Sequence, residues 1–225
     1  MKEEKNIIIN TEENKKISEL LKEKIEQSEY PVVGAKFNNE YKNLDDEISG
    51  KGEIELININ SKYGMKIYRK TLTFIMGMAF ESIYPEAHVL VDYQLSNAIY
   101  GIIENMEITE EMMQKVKEKM QEIIEKDMKI EKITMTREEA KEFYDRTNSP
   151  KGRLQFDLEG NDEINMYYCG EYYNYFYEML ATHTGVTKIF DLQKYKDGFL
   201  LRYPSDKNVN ELPKFKETKK LLWAM

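Results

Sequence analysis

The chain has 225 residues, enough for one large or two small domains with an adequate core, and its size excludes a disulfide mini-protein. With 41% hydrophobic and 33% charged residues it reads as a folded chain, and 41 acidic against 33 basic residues leave a net charge of -8. That balance counts against indiscriminate nucleic-acid binding, which depends on Lys and Arg neutralising phosphates, while a local basic groove is still allowed.

Cys169 is the only cysteine, so neither an intrachain disulfide nor a Cys-rich zinc site is expected. No run of about 18 apolar residues is present to cross a bilayer, and MKEEKNIIIN lacks the pattern of a secretory leader. A cytoplasmic protein without membrane contact is expected.

In chain order, Asn6 to Asn10 carries isoleucines enough for a strand, and Ile17, Leu20, Leu21 and Ile25 recur at helical spacing. Pro31 to Phe37 and Glu53 to Ile59 read as β-runs joined by a turn-rich Asn38 to Gly52. Ile54 and Leu56 share one face and Ile57 and Ile59 the other, so the end of that strand is covered on both sides. A small ββαββ-like unit is expected. Lys66 to Tyr84 reads as a mostly buried helix closed by Pro85, in which Gly77 permits close approach of another element.

Two strands follow, His88 to Tyr93 and Ala98 to Ile103. Thr109 then caps a helix whose Met113, Val116, Met120, Ile123 and Ile124 make one apolar core stripe. Lys129 to Thr136 is extended, and Thr136 with Glu139 forms a capping box for a helix ended by Asn148, Ser149 and Pro150. Five strand-like runs remain: Arg153 to Leu158, Glu163 to Cys169, Tyr172 to Tyr177, Thr187 to Leu192 and Gly198 to Tyr203. Helices followed by strands predict an α+β fold with an antiparallel sheet. The tail beyond Pro204 is polar apart from Leu221, Leu222 and Trp223, and reads as the edge of something longer.

The segment YRKTLTFIMGMAFESIYP, Tyr68 to Pro85, resembles the first helix of the editing domain of threonyl-tRNA synthetases. Upstream, VVGAKFNNEYKNLDDEIS and EIELINI look like the end of a TGS domain, a β-grasp module. Downstream, ITEEMMQKVKEKMQEIIEKDMKIEKITMTREEAKEF is similar to the helix, strand and helix that follow. The run YYCGEYYNYFYEMLATHTGVTKIFDLQKYKDGFLLRYP, Tyr167 to Pro204, resembles bacterial uridine kinase-like proteins, which carry the same two domains ahead of a P-loop kinase domain. The resemblance implies a TGS-like β-grasp domain at 1–63, an α+β editing-like domain at 64–204, and a tail or linker at 205–225 leading to that kinase domain. It also implies a nucleoside or RNA ligand.

Editing sites of the synthetases bring together an H-x-x-x-H pair and a C-x-x-x-H pair. The matching positions here hold Lys70 and Phe74, then Cys169 and Tyr173, which implies a degenerate cleft formed by these four. Activating water for ester hydrolysis needs a general base or a metal, and neither Phe nor an unperturbed Lys or Tyr supplies one. His88 and His183 fall outside the motif. Cys169 has no motif histidine to lower its pKa and reads as a buried structural thiol.

Within the dense aromatic run, Tyr167, Tyr172 and Tyr175 are candidates for stacking on a ligand base, packing being the alternative. No glycine fits G-x-x-x-x-G-K-[ST], so no phosphate-binding loop is present. No metal or cofactor is expected in this chain, ATP and Mg belonging only to a downstream kinase domain. The leading expectation is a non-catalytic substrate-binding or regulatory module. A diverged aminoacyl-tRNA editing hydrolase using Cys169 with Lys70 and a protein-interaction scaffold are its rivals.

Overall fold

The computed structural model describes residues 6–146 and 163–215. Strand β1 (Ile7–Lys16) leads into two short helices, α1 (Ile17–Leu20) and α2 (Lys22–Glu26), followed by β2 (Val32–Phe37), β3 (Glu40–Lys42) and β4 (Glu47–Asn58). These strands form an antiparallel sheet in the order β1-β4-β2-β3. One strand precedes the helical segment and three follow it, so the unit is not the ββαββ arrangement expected.

The difference arises in the segment read as a connection. Asn38 and Asn39 adopt φ of 47° and 70° between the paired residues Phe37 and Glu40. A two-residue loop with both φ values positive matches the right-handed twist of a hairpin, and asparagine tolerates it. The helices cover one sheet face with Ile17 and Leu21 against Val32, Ala35, Ile48 and Ile54. Ile57 and Ile59 point instead into the larger core, as the alternation predicts.

Helix α3 (Lys62–Ile83) starts four residues earlier than predicted because Ser61 caps it. Its hydroxyl accepts from the Gly64 amide at 3.0 Å and donates to the Asn58 carbonyl at 2.7 Å, tying the helix to the end of β4. After it come β5 (Val89–Leu95), β6 (Ala98–Ile103), α4 (Glu110–Glu125), β7 (Glu131–Thr136), α5 (Arg137–Arg146), β8 (Glu163–Cys169), β9 (Tyr172–Tyr175), β10 (Asp191–Tyr195) and β11 (Gly198–Arg202). Two antiparallel sheets result, β10-β11-β6-β5 and β7-β8-β9, so the second region is α+β as expected but divides its strands between two sheets.

Helices α3 and α4 fill one side of the four-stranded sheet with Ile75, Met76, Phe80, Val116 and Met120 against Ile99, Phe199 and Leu201. The three-stranded sheet is covered on both faces, α5 lying on one with Ala140 and Tyr144 and α3 on the other with Phe74. Thr109 accepts from the Met112 amide at 3.1 Å, and Thr136 and Glu139 exchange capping hydrogen bonds of 2.7 and 3.2 Å. The predicted helix end at Asn148 to Pro150 and the strand Arg153 to Leu158 lie outside the described residues.

The predicted strand Thr187 to Leu192 is largely replaced by irregular chain. Its polar backbone groups are taken by side chains and local turns: the Tyr68 hydroxyl donates to the Ile189 carbonyl at 2.8 Å and accepts from the Ile189 amide at 2.9 Å. Residues 205–215, read from composition as a tail, pack back on the fold, with Val209 in the large core and Arg202 donating to the Pro213 carbonyl at 2.8 Å. Among the described residues no helix is long and apolar enough to cross a membrane.

Besides the apolar contacts of Val33, Ile57 and Ile59, three polar contacts fasten the N-terminal sheet to the second region. Asn43 donates to the Leu180 carbonyl at 3.0 Å in a buried setting, and Lys132 and Lys129 pair with Asp46 and Asp45 at 2.7 and 3.5 Å.

At Gly77 the close approach is realised, since a Cβ there would run into the Tyr172 hydroxyl. Gly77→Ala gains about 1 kcal/mol of helix propensity but overpacks a buried contact at a typical cost of ~1–3 kcal/mol. A net loss of about 1 kcal/mol is expected in urea titrations. In a Tyr172→Phe background, where the obstructing oxygen is gone, the same change should be neutral or stabilising. Equal losses in both backgrounds would contradict the contact.

Candidate functional site

The i,i+4 spacing of α3 sets Lys66, Lys70 and Phe74 along successive turns of one side. Phe74 is fully buried, its ring edge-on to Tyr172 with centroids 4.9 Å apart and to Phe176 at 5.9 Å. Cys169 and Tyr172 are directly paired across the β8–β9 hairpin, on the sheet face that meets α3. The structure thus brings Phe74 and Cys169 into one cluster, with Tyr167, Tyr172, Ile130 and Leu180 filling the space around them.

Lys70 borders this cluster without pointing a free amine into it. Its ammonium pairs with Glu178 at 2.7 Å, and Lys66, one turn earlier, holds the other oxygen of the same carboxylate at 2.6 Å. Burial works to raise the Glu178 pKa, but hydrogen bonds from Lys66 and Lys70 outweigh it and hold the carboxyl below its usual range. The hydrogen bond to Glu178 correspondingly raises the Lys66 pKa. Sequence reasoning missed Glu178. The available signal was two lysines at i,i+4, a repulsive pair unless a carboxylate lies between them.

Tyr173 is set apart from the other three. Successive residues of a strand point to opposite faces, so if Tyr172 faces α3 then Tyr173 faces α5. Its ring meets Phe143 at 4.7 Å, nearly perpendicular, beside Tyr144 and Tyr168. Of the four positions, the structure gathers Phe74 and Cys169 in one cluster with Tyr172, leaves Lys70 at its border with Glu178, and places Tyr173 in the cluster under α5.

The stacking candidates are likewise mostly interior. Tyr167 and Tyr172 are buried, their hydroxyls accepting from the Leu180 amide at 3.4 Å and the Asn174 side chain at 3.1 Å, and burial raises both pKa values. Neither offers a ring face to a ligand. Tyr175 is half-buried on the α5 side with Tyr173.

Cys169 is 1% exposed, and desolvation pushes its thiol up to about 11. His183 is exposed, with Nδ1 3.3 Å from the Asp127 carbonyl, and His88 is exposed on the loop before β5. Among the described residues no group of three His, Cys, Asp or Glu side chains is arranged as a metal site. A cavity of about 490 Å³ lies between the end of α4 and the Gly185 to Phe190 loop, and one of about 190 Å³ beside Lys36 and Glu53. Lys70, Phe74, Cys169 and Tyr173 line neither.

The fold is α+β, and where α3 meets the three-stranded sheet Phe74 is packed among aromatic rings. Over most of its length the sequence is similar to threonine–tRNA ligases. It is 30% identical over 168 residues to that of Clostridium tetani, covering 73% of this chain and 26% of the relative. It is 27% identical over 170 residues to that of Acetivibrio thermocellus and 26% identical over 170 residues to that of Caldanaerobacter subterraneus subsp. tengcongensis, each match covering 72% of this chain. The chain spans about a quarter of the length of these curated relatives. No family model matches it.

The buried thiol gives a direct check. At pH 8 the native chain should react with an aromatic disulfide reagent roughly 100-fold more slowly than the unfolded chain, reflecting its smaller thiolate fraction and its burial. Because folding raises this pKa from 9.0 to about 11, the stability it contributes is whole below pH 9 and is lost as pH rises through 11. Cys169→Ser or Cys169→Ala should flatten the stability profile across that window.

Proposed function

We propose that this chain is a non-catalytic module, a TGS-like domain joined to a degenerate editing-like domain, that serves a substrate-binding or regulatory role in a longer protein of the uridine kinase-like type. The observation that carries the reading is the packing of Phe74, Tyr172 and Cys169 at the position where the synthetase resemblance implies an open hydrolytic site. Hydrolysis needs a base and room for water, and a buried phenyl ring supplies neither.

The editing-hydrolase alternative loses support at each of its named residues. Lys70 is engaged by Glu178, and Cys169 is a neutral thiol at physiological pH. Closure of the cleft also favours contact over capture of a small molecule inside it, so a scaffold role remains the stronger of the two alternatives. The similarity to threonine–tRNA ligases supports a synthetase-related origin for the domain, while the kinase-type parent rests on the Tyr167 to Pro204 resemblance.

The purified chain is expected neither to deacylate seryl-tRNA nor to phosphorylate uridine with ATP. Rates are compared with uncatalysed controls under identical buffer and magnesium. Deacylation abolished by Cys169→Ala would overturn the proposal, as would ATP-dependent formation of uridine monophosphate by this chain alone.

A further inference from the structure

The four-stranded sheet has a second face, turned away from α3 and α4. Ala98, Tyr100 and Ile102 of β6 lie on it with Leu200 of β11, Tyr195 of β10, and Tyr93 and Leu95 of β5. Leu90 is paired directly with Ile102 and shares that face, because strand alternation puts Val89 and Ile103 on the other. Residues 204–215 cover part of it. The Tyr203 amide donates to the Asn97 carbonyl at 3.1 Å, the Asn97 side chain donates to the Pro204 carbonyl at 3.0 Å, and the Phe215 ring meets Tyr195 with centroids 5.6 Å apart.

This cover stops short of the β5 edge. Ala98, Tyr100 and Leu200 are buried, whereas Ile102 is half-buried and Leu90 is 44% exposed. Tyr195 pairs with Gly198 and Leu90 with Ile102, and continuing the Phe199–Gly101 register of β11 with β6 sets Gly198 beside Ile102. The Tyr100 ring lies where a side chain of Gly198 would be and meets Tyr195 at 6.4 Å. An apolar strip therefore runs across the sheet from Tyr195 to Leu90, about 14 Å at three strand spacings. Phe215 stands at its start, and the chain continues as Lys216, Glu217, Thr218, Lys219, Lys220 and then Leu221, Leu222 and Trp223. The six residues from Phe215 to Leu221 reach up to about 20 Å when extended, enough to span the strip. Charge is complementary as well, since Lys216, Lys219 and Lys220 outnumber Glu217 in that segment. Asp197 in the β10–β11 turn and Glu104, two residues past Ile102 and so on its face, are exposed carboxylates without an ion-pair partner among the described residues.

We propose that residues 216–225 cross this face and seat Leu221, Leu222 and Trp223 against Ile102 and Leu90, with Lys219 and Lys220 beside Glu104 and Asp197. Docking there removes apolar surface from water next to an unpaired sheet edge, which gives the chain's own segment a reason to lie on it. In the longer protein proposed above, the clasp would set where the chain leaves this domain, and only that consequence rests on the proposed parent.

Trp223 is the only tryptophan, so selectively excited emission of the whole chain reports on the segment directly. The expected result is emission shifted to the blue of the urea-unfolded chain and shielding of Trp223 from acrylamide. Leu90→Arg should abolish both, while Ile133→Arg, at a similarly exposed strand residue of β7, leaves them in place. Lys219→Glu combined with Lys220→Glu should also lower the shielding at low ionic strength, where surface charges are least screened. Thermal melts check folding, and Leu90→Thr, which keeps strand propensity, replaces Leu90→Arg if that variant does not fold.

Emission and quenching equal to those of the unfolded chain would overturn the docking, as would shielding retained in a folded Leu90 variant or lost equally in Ile133→Arg. Unchanged shielding in the double lysine variant overturns the charge pairing. Shielding that disappears on dilution, together with a dimer in sedimentation, overturns the intrachain clasp in favour of a second copy as the surface that receives the segment. None of these results bears on deacylation or phosphorylation, so failure here is distinguishable from failure of the non-catalytic reading.

Discussion

Helix α3 must be buried on almost every side at once, and the rest of the molecule is arranged around that requirement. Ile67 meets the N-terminal sheet near Gly34, Ile75, Met76 and Phe80 enter the core shared with α4 and the four-stranded sheet, and Phe74 enters the cluster on the three-stranded sheet. The longer charged side chains of α3 emerge where the surrounding elements part, while the buried Thr71 is satisfied by backbone partners. Lys66 and Lys70 do so beside Glu178, and Arg69 beside Gln94. The burial of each large apolar side chain contributes about 1.5–3 kcal/mol, so the helix is secured chiefly by packing and only marginally by its surface charges.

The charges around Glu178 act on geometry more than on stability. Glu178 is partly buried, and its pairing with two lysines offsets the desolvation it would otherwise suffer. Holding Glu178 fixes the segment that continues into Met179 and Leu180, and Leu180 is where Asn43 crosses from the N-terminal sheet. Thr71 reinforces the same segment by accepting from the Ala181 amide at 2.9 Å while donating to the Ile67 carbonyl. A continuous line of contacts therefore joins the first sheet, α3 and the β8–β9 hairpin.

Local rules made much of this legible. The opposite faces of Ile54 and Ile57, the caps at Thr109 and Thr136, and the close approach at Gly77 each depend on spacing within one element. What escaped depended on distant partners. Thr187 to Leu192 has strand-forming residues, but Tyr68, far away in the chain, takes the Ile189 backbone groups and leaves no ladder to form. Asn38-Asn39 lacks the Asn-Gly signature of a hairpin, and the hairpin went unrecognised. At the site, matching by motif put Tyr173 beside Cys169, whereas hairpin pairing puts Tyr172 there, because a two-residue turn makes residues 169 and 172 direct neighbours.

The packing around Phe74 also has an energetic logic. A catalytic site ordinarily keeps polar groups in places where packing alone would put apolar ones, and the surrounding fold has to offset that conflict. At residue 74 the conflict is absent: a phenyl ring sits edge-on to two aromatic neighbours, an arrangement worth about 0.5–1.5 kcal/mol per pair beyond the burial itself. An imidazole in its place would need partners for two ring nitrogens among Ile130, Leu180, Tyr172 and Cys169, where the Tyr172 hydroxyl, which accepts from Asn174, could donate to one nitrogen and a thiol is only a weak partner for the other. Each nitrogen left without a partner would cost roughly 1–3 kcal/mol. At residue 74 burial and side-chain chemistry therefore agree, as they do at ordinary core positions.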